Sequence, residues 1–163
     1  KAAAEDVKVI AWCLMGNHVH LLLDDPEHAL SHFMHALATA YARRFNDKTG
    51  HVGAVFQGRF ASVSITSDSQ LLQAVRYIHE NPVKAGIGSI DAYPWSSYRE
   101  YLGEARVADT TMVFDMVGGR EGSCASAGTD GSGRTVSGRR DACPTMTRSR
   151  WRTAYWATSS PWM

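Results

Sequence analysis

The 163-residue sequence contains no apolar run of about 18 residues, the length a helix needs to cross a bilayer. Its first residues lack the basic-then-apolar pattern of a secretory signal, so neither membrane nor export is expected, and a cytoplasmic location is. Cysteine is scarce: Cys13, Cys124 and Cys143 are odd in number and far apart, which fits neither a disulfide framework nor a zinc ribbon and suits a reducing compartment. No internal repeat is visible. An excess of either charge is also missing, with 17 Lys and Arg against 16 Asp and Glu. The part through Gly103 carries nine against ten and the rest eight against six, so bulk charge marks no nucleic-acid binder. Contact with nucleic acid would have to come from local clusters, for which Arg43, Arg44, Lys48, Arg59, Arg76 and Lys84 are the candidates; each taken singly is better explained as solvated surface. What is present, 44% hydrophobic and 10% aromatic residues, is ordinary for one soluble domain. The chain opens on Lys1 rather than Met, and the natural start is expected upstream.

The stretch that carries chemistry is Gly16-Asn17-His18-Val19-His20-Leu21-Leu22-Leu23. In an extended chain residues i and i+2 share a face, so His18 and His20 point one way and Val19 and Leu21 the other. Two imidazoles on one face can each give a nitrogen to one divalent cation, but a working site needs a third protein ligand. On its own such a tripeptide is more often a polar pair on a half-buried strand.

The nearly all-apolar run from Val7 to Met15 reads as a buried strand, with Val9, Ala11, Cys13 and Met15 on one side and Lys8, Ile10, Trp12 and Leu14 on the other. Gly16-Asn17 turns it into the histidine strand as a hairpin. Asp25-Pro26-Glu27 reads as a helix start, followed by an apolar stripe of Leu30, Phe33, Met34, Leu37, Tyr41 and Phe45 over about five turns. Residues 46–50 break the pattern and read as a loop. Ala61, Val63 and Ile65 alternate with serine and threonine as a half-buried strand, and Ser67-Asp68 caps a second helix. Its buried stripe is Leu71, Leu72, Val75 and Ile78; Tyr77 and Asn81 fall on another side, one turn apart, and Asn81-Pro82 is expected to end it. Tyr93–Tyr98 is an aromatic turn leading into a short helix. Residues 119–150 are crowded with Gly, Ser, Thr and Arg and show neither period, and Trp151–Met163 shows no pattern that would bury its tryptophans.

Tyr77 raises the histidine pair above chance. A tyrosine beside a metal held by two histidines suits phosphoryl transfer, because a phenolate of ordinary pKa about 10 leaves well enough to make a phosphotyrosine reversible. Asn81 could offer its amide oxygen as third ligand, with Gln73, His79 and Glu80 as rivals. The plainer alternative is a half-buried helix tyrosine and an asparagine C-cap.

Four motifs are recognisable together: residues 14–22 (LMGNHVHLL), residues 55–60 (VFQGRF), residues 77–86 (YIHENPVKAG) and residues 93–98 (YPWSSY). In this order and spacing they resemble the HUH single-tyrosine transposases, in particular the REP-associated tyrosine transposase branch, over roughly Val7 to Gly103. The resemblance implies an α+β, ferredoxin-like antiparallel sheet with helices on one face. It also implies His18 and His20 as metal ligands, Tyr77 as nucleophile, and Asn81 at a glutamine-ligand position, one methylene short. Mg2+ or Mn2+ would be the cofactor and single-stranded or hairpin DNA the partner, contacted by Arg43, Arg44, Gln57, Arg59, Arg76 and Lys84; a homodimer is compatible with it. Relatives carry a first strand and most of a first helix before Lys1, so an N-terminally truncated catalytic domain is expected over residues 1–103, with an exposed hydrophobic sheet edge. An extension at 104–118 and a low-order tail at 119–163 follow; the tail reads either as translation in a wrong frame or as genuine disorder.

These features imply a DNA-nicking strand transferase that forms a 5′-phosphotyrosine. The alternatives are a hairpin-binding remnant that no longer cleaves, and an unrelated metal-dependent hydrolase, against which the four motifs argue together.

Overall fold

The computed structural model describes residues 7–104, 106–118 and 151–157. Strands β1 (Lys8–Leu14), β2 (His18–Asp24), β3 (Ala61–Ile65) and β4 (Trp151–Ala157) form one antiparallel sheet in the order β1-β2-β4-β3. Helices α1 (Leu30–Thr49) and α2 (Asp68–Lys84) accompany it, with short helices α3 (Tyr98–Tyr101) and α4 (Thr111–Val117). The fold is α+β, as the family resemblance implies.

β1 and β2 form the expected hairpin, closed where the Met15 N–H donates to the His18 carbonyl. The simple alternation expected of β1 is interrupted by an irregularity between Val9 and Ala11. Val9 pairs with Leu23 and Trp12 with Leu21, whereas Ala11 pairs with Leu22 and Cys13 with His20. The extra residue shifts the parity, so both Ile10 and Ala11 join the apolar cluster under α2 while Trp12 packs with the opposite one.

The helices do not share one face, which corrects the family-based expectation. Leu71, Val75 and Ile78 of α2 pack with Ile10, Cys13, Leu22 and Ile65. Leu30 and Met34 of α1 pack with Val7, Leu21 and Leu23 on the other side. The residues of β2 explain this, since Leu22 lies on the histidine face and Leu21 and Leu23 lie opposite: apolar side chains on both faces each need a cover.

Of three helix ends, two differ from expectation. α1 begins at Leu30, after a turn in which His28 takes φ 56°; the buried Asp25 still caps it, accepting from the Ala29 and Leu30 N–H groups at 2.6 and 3.2 Å. Ser67 caps α2 as expected, accepting from the Gln70 N–H, while the Gln70 side chain accepts from the Thr66 N–H. α2 does not stop at Asn81-Pro82 but runs through Pro82 to Lys84. Proline removes the N–H that would reach the Ile78 carbonyl. The Asn81 side-chain amide donates to that carbonyl at 3.3 Å and to the Tyr77 carbonyl at 2.8 Å, replacing the missing donor.

The expected low-order tail falls into two parts. Residues 119–150 and 158–163, including the stretch read as frameshifted or disordered, lie outside the described residues; residues 151–157 form β4, seated between β2 and β3. β2 therefore presents no open edge, because all seven of its positions pair with β4.

A buried polar network ties α2 to β1. His79 Nε2 lies 2.8 Å from Ser97 Oγ, and Ser97 Oγ accepts from the Trp12 N–H at 2.9 Å. The Trp12 indole donates to Glu100, whose other oxygen accepts from the N–H groups of Arg106, Val107 and Ala108. Burial alone would raise the Glu100 pKa, but these bonds hold its carboxyl below the usual range.

Candidate metal and nucleophile site

β2 projects His18 and His20 onto the α2 face, their rings 4.9 Å apart and edge-to-face. Asn17 Oδ1 lies 2.7 Å from His18 Nδ1. Since that oxygen can only accept, Nδ1 carries the proton and Nε2 keeps its lone pair. Burial lowers the pKa of His18, and burial together with its neighbour His18 lowers that of His20 to about 4. Both rings are thus neutral at pH 7, the form in which imidazole binds metal.

α2 lies over the same face because Leu71, Val75 and Ile78 need the apolar surface beside the histidines. That orientation sets the Tyr77 ring 5.7 Å from the His20 ring and edge-to-face, with 48% of the residue exposed. Lys84 Nζ sits 4.4 Å from the centre of the Tyr77 ring, a cation–π arrangement.

Of the residues singled out in the sequence, His18, His20 and Tyr77 meet. Asn81 follows one turn along α2, buried, with its amide nitrogen committed to its own helix and only its oxygen left as a donor to metal. Of its rivals, His79 is bound to Ser97, and Glu80 is paired with Arg76 and Lys84. Gln73 is exposed one turn before Tyr77. Among the described residues no group of three or more His, Cys, Asp or Glu could hold a metal. Two neutral imidazoles on one face therefore fit a divalent cation as part of a ligand set completed by an amide oxygen, water or substrate.

The cationic candidates are dispersed. Arg76 and Lys84 flank Tyr77 on α2 but both engage Glu80. Gln57 and Arg59 are exposed in the segment leading into β3. Arg43 and Arg44 are carried by α1, the helix of the opposite face, where with Ala40, Asp47 and Lys48 they line an open depression.

Sequence reasoning missed two residues. In the sequence Asn17 offers only a turn signal, although an amide next to a ligand histidine can fix its tautomer. Tyr155 lies opposite His20 on β4, its ring 5.2 Å from His18 and 5.1 Å from His20. Nothing local in Trp151–Ala157 signals this, because the contact depends on which strand it pairs with.

Residues 1–81, just under half of the chain, match the family model described as "Transposase IS200 like". The comparisons with curated proteins and with solved structures return no match. The family match supports a transposase-type, DNA-processing domain with DNA as partner. Among the described residues no helix is long and apolar enough to cross a membrane.

Proposed function

We propose that this chain, matched over its first half by the IS200-like transposase family, is a single-strand DNA endonuclease and strand transferase with Tyr77 as nucleophile. The observation that supports this reading is the convergence of Tyr77 on the His18–His20 pair, three rings from two elements on one face of the sheet. His18 and His20, with the Asn81 oxygen as third candidate, would hold Mg2+ or Mn2+, which supplies charge neutralisation at the scissile phosphate.

The chain's own part in the step follows from its groups. The Tyr77 oxygen forms a bond to phosphorus as the bond from phosphorus to the 3′ oxygen breaks. The phenol proton is given up to solvent, and the 3′ oxygen leaves as a hydroxyl after taking one back. One phosphodiester replaces another, so the reverse attack by a 3′ hydroxyl restores the strand and frees the tyrosine. Asn17 holds the His18 ring, and the 48% exposure of Tyr77 gives a DNA strand access. Exposed Arg43, Arg44, Gln57, Arg59, Arg76 and Lys84 would serve phosphates, which position the strand without reading it.

The test is incubation of end-labelled single-stranded hairpin DNA with the protein and Mg2+ or Mn2+, then a denaturing gel and peptide mapping. A covalent adduct on the peptide holding Tyr77 is expected; an adduct on any other residue overturns the assignment. A second reading, a hairpin-binding remnant that does not cleave, is favoured by the Asn81 amide being drawn into its own helix. It predicts hairpin binding with no adduct.

A further inference from the structure

We propose that Tyr155 is a positioning residue for the histidine pair, so that the last described strand forms one wall of the metal site. The register across the sheet runs Cys13, His20, Tyr155, Ala61, and residues directly opposite one another on neighbouring strands share a face. One phenol ring thereby rests against two imidazoles at 5.2 and 5.1 Å, tilted 47° to each. Tyr77 also meets the His20 ring, edge-to-face at 5.7 Å, so two aromatic rings lie against His20.

An imidazole turns about a broad torsion with no sharp rotamer well, so its direction is set by its neighbours. His18 has Asn17 on one nitrogen, and the Tyr155 ring limits its remaining freedom. His20 has no hydrogen bond to its ring among the described residues, which leaves ring packing to orient it. What lies against the histidines is the ring of Tyr155; no hydrogen bond among the described residues engages its hydroxyl. The role therefore belongs to the aromatic face, and phenylalanine should perform it. This inference rests on His18 and His20 being metal ligands.

The test is Mn2+ binding to the full chain without DNA, read from the electron paramagnetic resonance signal of free Mn2+, with thermal melts as a check on folding. Tyr155→Phe should bind within about twofold of wild type. Tyr155→Ile, which keeps strand propensity but has no ring, should bind about tenfold or more weakly, the range seen when groups that orient ligands are lost. Equal binding by wild type and Tyr155→Ile would overturn this role and leave the metal reading standing. An equal loss in Tyr155→Phe would also overturn it, by making the hydroxyl the active group. No Mn2+ binding by wild type would remove the metal reading itself and this role with it.

Discussion

Individual side chains carry the sharpest predictions. His18→Ala or His20→Ala should abolish cleavage at limiting Mn2+ while leaving most hairpin binding, because the residues proposed to meet phosphates lie elsewhere. Gel assays of both activities on the same samples check this, and near-normal cleavage by either variant would contradict it. Tyr77→Phe removes one oxygen from a half-exposed residue that makes no side-chain hydrogen bond among the described residues, so stability should change by less than about 0.5 kcal/mol while the adduct disappears. Asn81 has a duty that family resemblance does not reveal: it supplies the hydrogen bond that Pro82 cannot. Asn81→Ala should therefore cost about 1–3 kcal/mol in denaturant unfolding, and Pro82→Ala in that background should recover part of the loss by restoring an N–H.

At the level of elements, α2 matters because it carries Tyr77 and Asn81 while its His79 is fastened to Ser97 and so to β1. Ser97 is fully buried, so the His79–Ser97 pair is a fastening and not a second nucleophile. Burial lowers the His79 pKa to about 4, with Glu100 opposing weakly. The unfolded chain, with an ordinary histidine pKa near 6.5, then binds the proton more readily than the folded one. Its contribution is complete above about pH 6.5 and is lost as pH falls through about 4, on the order of 3 kcal/mol in full. Urea unfolding at pH 7, 5.5 and 4.5 should show this decline, and His79→Gln should flatten it without removing it, because His20 is shifted the same way.

For the whole molecule, the sheet depends on a strand far along the chain. Among the described residues β3 pairs with β4 alone, and β2 meets β3 only through β4. Ending the chain at residue 150 should leave two strand edges unpaired, giving loss of cooperative unfolding and a tendency to aggregate, measurable by thermal melts and light scattering. The distribution of cations suggests a graded response to salt. Arg43, Arg44 and Arg59 have no ion pair among the described residues, whereas Arg76 is paired with Glu80. Replacing any of the first three with glutamine should reduce the salt slope of DNA binding by about one if it meets a phosphate, and Arg76→Gln should reduce it less. Unchanged slopes in all of them would return these residues to plain solvated surface.

What the sequence determined by itself was local. The hairpin, the shared face of His18 and His20, the Ser67 cap and the placing of Tyr77 off the apolar stripe all follow from periods of 2 and 3.6 and from turn and cap chemistry. These are properties of a few neighbouring residues and need no knowledge of the partner element. Tertiary structure decided whatever depended on pairing across distance. The Val9–Ala11 irregularity put Val9 on the Trp12 side and Ile10 on the Ala11 side, because a single extra residue inverts strand parity. α1 went to the side opposite α2, since Leu21 and Leu23 needed a cover as much as Leu22 did. Asn81 kept α2 helical through a proline that would otherwise end it. Tyr155 reached the histidines only because β4 is held in register between β2 and β3, and no local period of seven residues encodes which strands they will join.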